Sequence, residues 1–265
     1  MSSFADFLER NSIVPSPSLP LVHSLPSYSL TNKVMPSDAI VPLMCDVFEG
    51  EKLNYFFVGR PAYKSMSTDA VAAEWELPCC FIFDYQSLGT FKRVFPFDSG
   101  AHDGKRYPEY IQMMELEKFD VTNVLDAPAR IIGAYFRNVR DYFLLNPKSE
   151  EAFKQEFSIT PLDAEIMAVH RLAGDNRYRD KYDDRRLAVE IQSEEQVDLT
   201  VKKPLAVILP CSYGDVPEVR DAIEGRWGAD IITYTIQSLS VEAYYSTIYE
   251  KVLNFYEAKG LIKKP

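Results

Sequence analysis

Three polar residues sit in apolar, strand-like surroundings where their chemistry matters: Glu190, Arg60 and His23. Glu190 lies in the run Leu-Ala-Val-Glu-Ile-Gln at residues 187–192. Strand alternation places Ala188, Glu190 and Gln192 on one face and Leu187, Val189 and Ile191 on the other. A carboxylate inside a strand needs either solvent or a partner. It can point to water from an exposed sheet face, or it can act on positive charge developing nearby. Arg60 follows the aromatic run Tyr55-Phe56-Phe57-Val58 and stands in Gly59-Arg60-Pro61. Glycine there permits unusual backbone angles and proline bars a further ladder donor, so a cation is set at the end of a core strand. Its guanidinium suits a carboxylate or phosphate on a ligand, or a structural ion pair. His23 closes a short apolar segment, Leu19 to Val22, and Tyr63 stands three residues beyond Arg60. Each of these also has a packing role open to it.

Several chemistries lack their residues. The chain has no phosphate-binding Walker loop, no G-x-G-x-x-G and no G-x-S-x-G elbow. Its four cysteines, Cys45, Cys79, Cys80 and Cys211, show no C-x-x-C spacing. Cys79 and Cys80 stand in an apolar run, which points to buried free thiols. The three histidines, His23, His102 and His170, are too scattered to suggest a metal site. His102 reads as a loop residue. His170 falls in a last helical turn, where its charge would suit the helix dipole.

The elements that must position these residues read as follows. Six prolines within the first 45 residues break every early pattern. Residues 1–10 suit a short helix or loose arm. A first strand over residues 19–24 is expected to end at His23, followed by one or two helical turns over 29–35. Helical turns are expected over 67–75, starting at Ser67 or Thr68. Residues 78–83, Pro-Cys-Cys-Phe-Ile-Phe, and 205–210 are continuous apolar runs of strand length, suited to burial on both faces. Residues 98–104 form a turn-rich loop. The middle is helical: one helix from the Asp126-Ala127-Pro128 start to Asn146-Pro147, a second over 149–157, and a third from Thr160-Pro161 to Ala173, with Gly174 as its stop. Residues 175–186 are dense in mixed charge and read as a solvated connector. A short helix over 217–226, a strand over 231–236 and a long final helix starting after Ser240 complete the chain. Strands at both ends flank helices, so the fold class is α+β, a single domain over 1–265 with a helical insert at about 120–175.

The chain has 265 residues, 46% of them hydrophobic, with 16 Phe and 16 Tyr. A ring-rich core is expected. The formal charge of −10 counts against broad nucleic-acid binding, which depends on a basic footprint. The first ten residues lack the apolar region of a signal peptide, and no apolar run approaches membrane-spanning length. The expected setting is cytoplasmic, without a membrane partner.

In chain order, the Leu-Val-His-Ser segment at residues 21–24, the aromatic strand running into Gly59-Arg60-Pro61, and the late-strand Glu190 resemble the ADP-ribosyltransferase fold. The likeness is closest to the DarT-like nucleic-acid ADP-ribosyltransferases of toxin and phage-defence systems. It covers residues 20–63 and 185–209. The resemblance implies a split β core with a helical middle insert and a C-terminal helix. It implies NAD as substrate and transfer of its ADP-ribose to an acceptor, with Glu190 and Arg60 catalytic. His23, Ser24, Tyr55 and Tyr63 would bind NAD: a tyrosine stacking the nicotinamide ring, His23 bonding a ribose hydroxyl. Nucleic acid is the implied acceptor, and an antitoxin or regulatory protein an implied partner. Basic residues of the 175–186 segment, among them Arg177 and Arg179, would contact a substrate phosphate. This chain departs from the family in Gly59-Arg60-Pro61-Ala62 where Arg-Ser-Pro is usual, and in Ser24 directly after His23. It also has Ala188 two before Glu190, where arginine-modifying relatives carry Gln or Glu, which argues against protein-arginine transfer. An RNA 2′-phosphotransferase-like enzyme and a non-catalytic acidic interaction protein are the competing readings.

Overall fold

The computed structural model of the chain describes residues 3–10, 13–62, 69–175 and 187–264. Ten strands are assigned among them: β1 Leu21–Pro26, β2 Ala39–Ile40, β3 Leu43–Met44, β4 Lys52–Val58, β5 Pro78–Phe83, β6 Arg93–Phe95, β7 Glu190–Ser193, β8 Val197–Asp198, β9 Ala206–Pro210 and β10 Asp230–Tyr234. The class is mixed α+β. Two compact units divide the chain: the first is Met1–Ser18, Cys45–Glu51 and Phe91–Gln192, the second Leu19–Met44, Lys52–Thr90 and Ser193–Pro265.

The second unit is built on strands in the order β10-β9-β5-β1-β4, with β3 paired to β4. All pairs are antiparallel except β9 with β10. The two continuous apolar runs take the central places. Every residue of β5 and β9 is buried, as strands covered on both faces require. The helix Tyr244–Ala258 packs against β5, β9 and β10. It buries Tyr244, Ile248, Val252, Phe255 and Tyr256, a stripe at helical spacing. Each such side chain contributes about 1.5–3 kcal/mol by leaving water. Cys79 and Cys80 are free and buried, and burial pushes both thiols up to about 12.

Strand β1 does not end at His23. It continues to Pro26 because β5 pairs with it along its whole length, from Leu21↔Phe83 to Pro26↔Pro78. Its pairing with β4 is much shorter, Leu21↔Val58 and Val22↔Phe57. The β1–β4 ladder therefore stops at the position of His23.

The first unit pairs β6 with β7 and surrounds them with helices over a core of rings. Phe7 meets Phe157 edge-on at 5.2 Å, Tyr135 stacks on Phe153 at 5.0 Å, and Phe97 meets Phe119 at 4.9 Å. The expected long helix from Asp126 is two: Ala127–Tyr135 and Val139–Phe143. Phe136 is extended (φ −126°, ψ 153°), and the side chain of Asn138 accepts from Asp141 N–H at 2.9 Å. Cap chemistry thus restarts the helix although the apolar spacing runs through the break. The third middle helix starts at Ala164 rather than at Pro161 and includes Gly174. Thr160 spends its cap potential on a local turn instead: its N–H and hydroxyl both donate to Asp163 Oδ2 at 2.8 Å. The helix Glu150–Phe157 is as expected, with Ser149 accepting from Ala152 N–H at 3.2 Å. No helix among the described residues is long and apolar enough to cross a membrane.

Candidate functional site

Glu190 opens β7 in the first unit and is 1% exposed. The open alternative of a solvent-facing glutamate is thereby excluded. Its surroundings come from three short pieces of chain. Phe95 on β6 stands opposite it, and Arg93 stands opposite Gln192. After β6 the chain turns into a short helix, Ser99–Asp103, where a loop was expected. Asp98 caps that helix by accepting from Ala101 N–H at 2.6 Å, which fixes Ser99 beside the carboxyl.

Three donors converge on Glu190. Ser99 N–H donates to Oε2 at 3.0 Å, Ser99 Oγ donates to Oε1 at 2.7 Å, and Gln192 Nε2 donates to Oε1 at 2.7 Å. Burial nonetheless dominates and pushes the Glu190 carboxyl up to about 8. The Asp98 charge adds to the rise, and the Gln192 and Ser99 hydrogen bonds oppose it. The network continues outward. Gln192 Oε1 accepts from Arg93 Nη1 at 3.2 Å, and Arg93 grips Glu51 with two bonds of 2.7 and 2.8 Å. The guanidinium also lies 4.0 Å from the Phe48 ring centroid, and Lys92 reaches Glu51 at 3.1 Å. The Arg93 hydrogen bonds hold the Glu51 carboxyl down at about 2. A poised buried carboxyl is thus tied to an outer ion pair through one amide.

His23, Ser24, Tyr55 and Arg60 all belong to the second unit. Where the β1–β4 ladder stops, His23 Nδ1 donates to the Tyr55 carbonyl at 2.8 Å. A carbonyl can only accept, so the proton is on Nδ1 and Nε2 is the acceptor nitrogen of the neutral ring. Burial lowers the His23 pKa, with the Tyr55 bond opposing, which keeps the ring neutral. Phe56 lies 5.4 Å from the imidazole on that face. Alternation sends Ser24 to the opposite face of β1, opposite Cys80, where its buried hydroxyl has no hydrogen-bond partner among the described residues. Tyr55 is half-buried and meets His23 through its backbone.

Arg60 is held in by a tight turn. Gly59 has φ +69°, its N–H donates to Pro20 O at 2.8 Å, and Arg60 N–H returns to Val58 O at 2.7 Å. The arginine is 3% exposed. Its Nη2 donates to Tyr249 Oη at 3.2 Å, and the guanidinium carbon is 5.4 Å from the Tyr249 ring centroid. Tyr63, Arg177 and Arg179 lie outside the described residues. His102 is buried in the short helix and stacks on Phe97 at 5.8 Å, so it is no loop residue. His170 donates Nε2–H to Lys148 O at 2.8 Å, and burial lowers its pKa. It acts as a neutral structural donor rather than as a charge on the helix end.

Sequence reasoning missed Ser99, Arg93, Glu51 and Tyr249. Only Ser99 left a signal, the Asp98-Ser99 cap pair, and Gln192 was visible as the face-mate of Glu190. No protein family, curated protein or solved structure matches this chain.

Proposed function

We propose that the chain is an NAD-dependent mono-ADP-ribosyltransferase, with a split β core of the ADP-ribosyltransferase kind. The observation that carries the reading is the Glu190 carboxyl, fixed by three converging donors on a strand and raised to about 8. Preorganised charge aimed at a reacting centre is commonly the largest catalytic contribution. In the transfer, the bond between C1′ of the ribose and the nicotinamide nitrogen breaks, and nicotinamide leaves with the bonding pair. The acceptor nucleophile bonds to C1′ and loses its proton. Positive charge builds on the ribose in between, and Glu190 as carboxylate steadies it. The cationic nicotinamide ring of NAD favours the ionised form when it lies against the carboxyl, so turnover rises with pH to a midpoint at or below about 8.

Other residues carry chemistry suited to NAD. The Nε2 acceptor of His23 fits a ribose hydroxyl, and the Arg60 guanidinium fits a pyrophosphate oxygen. Tyr55 and Tyr63 have the ring for the nicotinamide. The resemblance suggests nucleic acid as acceptor and a toxin or defence effector held by a protein partner.

One observation favours a second reading, a binding protein without turnover: Glu190 is 1% exposed and both its oxygens accept bonds within the protein. Incubation with labelled NAD and cell extract, with measurement of free nicotinamide, separates the two. The transferase labels one fraction of the extract, and Glu190→Gln lowers turnover on the order of a hundredfold or more while NAD affinity holds. No label and no nicotinamide from the parent protein leaves the second reading.

A further inference from the structure

We infer that Gln192 is a positioning residue for the Glu190 carboxyl, and that the Glu51–Arg93 pair sets the direction of its amide. The inference deepens the transferase reading, but its test reads the carboxyl directly and does not depend on turnover.

The argument starts at the outer end of the chain of bonds. A guanidinium has only donors, so the Gln192 atom 3.2 Å from Arg93 Nη1 must be the amide oxygen. The orientation of the amide is thereby decided by its partner. Nε2 is then turned inward, 2.7 Å from Glu190 Oε1 and 3.1 Å from Ser99 Oγ. Because Ser99 Oγ accepts from Gln192, its own hydrogen is directed to Oε1 at 2.7 Å. Oε1 accordingly accepts two donors and is saturated, while Oε2 accepts, among the described residues, the Ser99 N–H alone. A carboxylate oxygen has two lone pairs, so the remaining capacity for a substrate hydroxyl lies on Oε2. Arg93 can direct the amide because it is itself immobilised, by two bonds to Glu51 and by the Phe48 ring. Cross-strand pairing of Arg93 with Gln192 supplies the close approach.

Among charged groups, Asp98 acts on Glu190 most directly, and Arg93 lies beyond Gln192. Other titratable groups on elements packed here include His102 and Asp103 on the short helix, Tyr107, whose hydroxyl accepts from Asp98 N–H, and Tyr142, whose hydroxyl accepts from Val189 N–H. None of these is altered in the variants below.

The test is a titration of the Glu190 carboxyl by NMR in protein carrying carboxyl-labelled glutamate, the resonance being identified by its loss in Glu190→Gln. Parent, Gln192→Met and Arg93→Met are compared from pH 5 to pH 10. Removing an oriented donor disfavours the ionised form, so Gln192→Met is expected to move the midpoint up by about one unit. Arg93→Met is expected to move it the same way by less, since it frees the amide to turn. Should Gln192→Met not fold, Arg93→Met and Glu51→Gln decide the matter, both acting on the outer pair. Unchanged midpoints in the folded variants overturn the inference, and a shift confined to Gln192→Met overturns the part that runs through Arg93. NAD cleavage is measured alongside. Shifted midpoints without cleavage by any protein leave the positioning role standing and remove the transferase reading. Cleavage with unshifted midpoints does the reverse.

Discussion

Glu190 holds a titratable group far from its solution behaviour. Its folded pKa of about 8 lies above the ordinary 4.5. A raised carboxyl binds its proton more readily in the folded state, so its contribution to stability is fully present below about 4.5 and is lost as pH rises through about 8. The melting temperature of the parent should therefore fall across that window and level off above it. Glu190→Gln cannot ionise, so its melting curve should vary less with pH, and the variant should gain on the parent towards pH 9. A parallel pH dependence in the two proteins would show that Glu190 does not titrate as described. The paired thiols allow a second check. Cys79 and Cys80 are fully buried with pKa values near 12, so an alkylating reagent at pH 8 should leave both unmodified in the native protein and label both after unfolding. Native labelling of either would contradict the burial of β5.

At the scale of elements, the end of β4 combines a left-handed backbone with a close approach. Gly59 lies in the left-handed region, and a Cβ added there would stand 2.6 Å from Leu19 Cδ1. Gly59→Ala should lower stability by about 2 kcal/mol or more, combining backbone strain with the clash. Urea unfolding followed by emission of the buried Trp227 reads the loss in the same unit. A midpoint equal to the parent's would mean that the turn relaxes freely and does not hold Arg60. Asn138 is the corresponding constraint in the helical part. Asn138→Ala removes the acceptor for Asp141 N–H and should cost about 1 kcal/mol. If circular dichroism shows an unchanged unfolding midpoint, the break at Phe136 has another cause.

At the scale of the molecule, each unit carries its own core, rings in the first and the central strands in the second. The chain carries an excess of acid, with 39 Asp and Glu against 29 Lys and Arg. Phosphate neutralisation supplies most sequence-independent affinity for nucleic acid. The protein should accordingly fail to retain random duplex DNA in a gel-shift experiment at about 0.15 M salt. Strong retention under those conditions would reveal a basic surface that the net charge conceals. Should nucleic acid be the acceptor, its recognition must then rest on few contacts rather than on a broad field.

Local rules made much of this chain legible. The apolar runs over 78–83 and 205–210 hold strands because nothing polar in them asks for water, and both strands are fully buried, although Leu205 at the start of the second run stays exposed outside its strand. The cap at Ser149 and the inward stripe of the last helix also act within a few residues and were readable. Alternation alone put Gln192 on the face of Glu190. Where two local signals competed, as periodicity and Asn138 did after Tyr135, the sequence did not say which would prevail. The contacts around the candidate residues were a different matter. That His23 stands inside β1 follows from the β5 register, and that Glu190 is buried follows from the chain packed around it. The Arg93–Gln192 approach joins residues 99 positions apart, and Arg60 meets Tyr249 across 189. Residue type and spacing determined which groups could do chemistry. Only the tertiary structure decided their partners, their burial and hence their charge, because desolvation and hydrogen bonding depend on what the folded chain brings within a few ångströms.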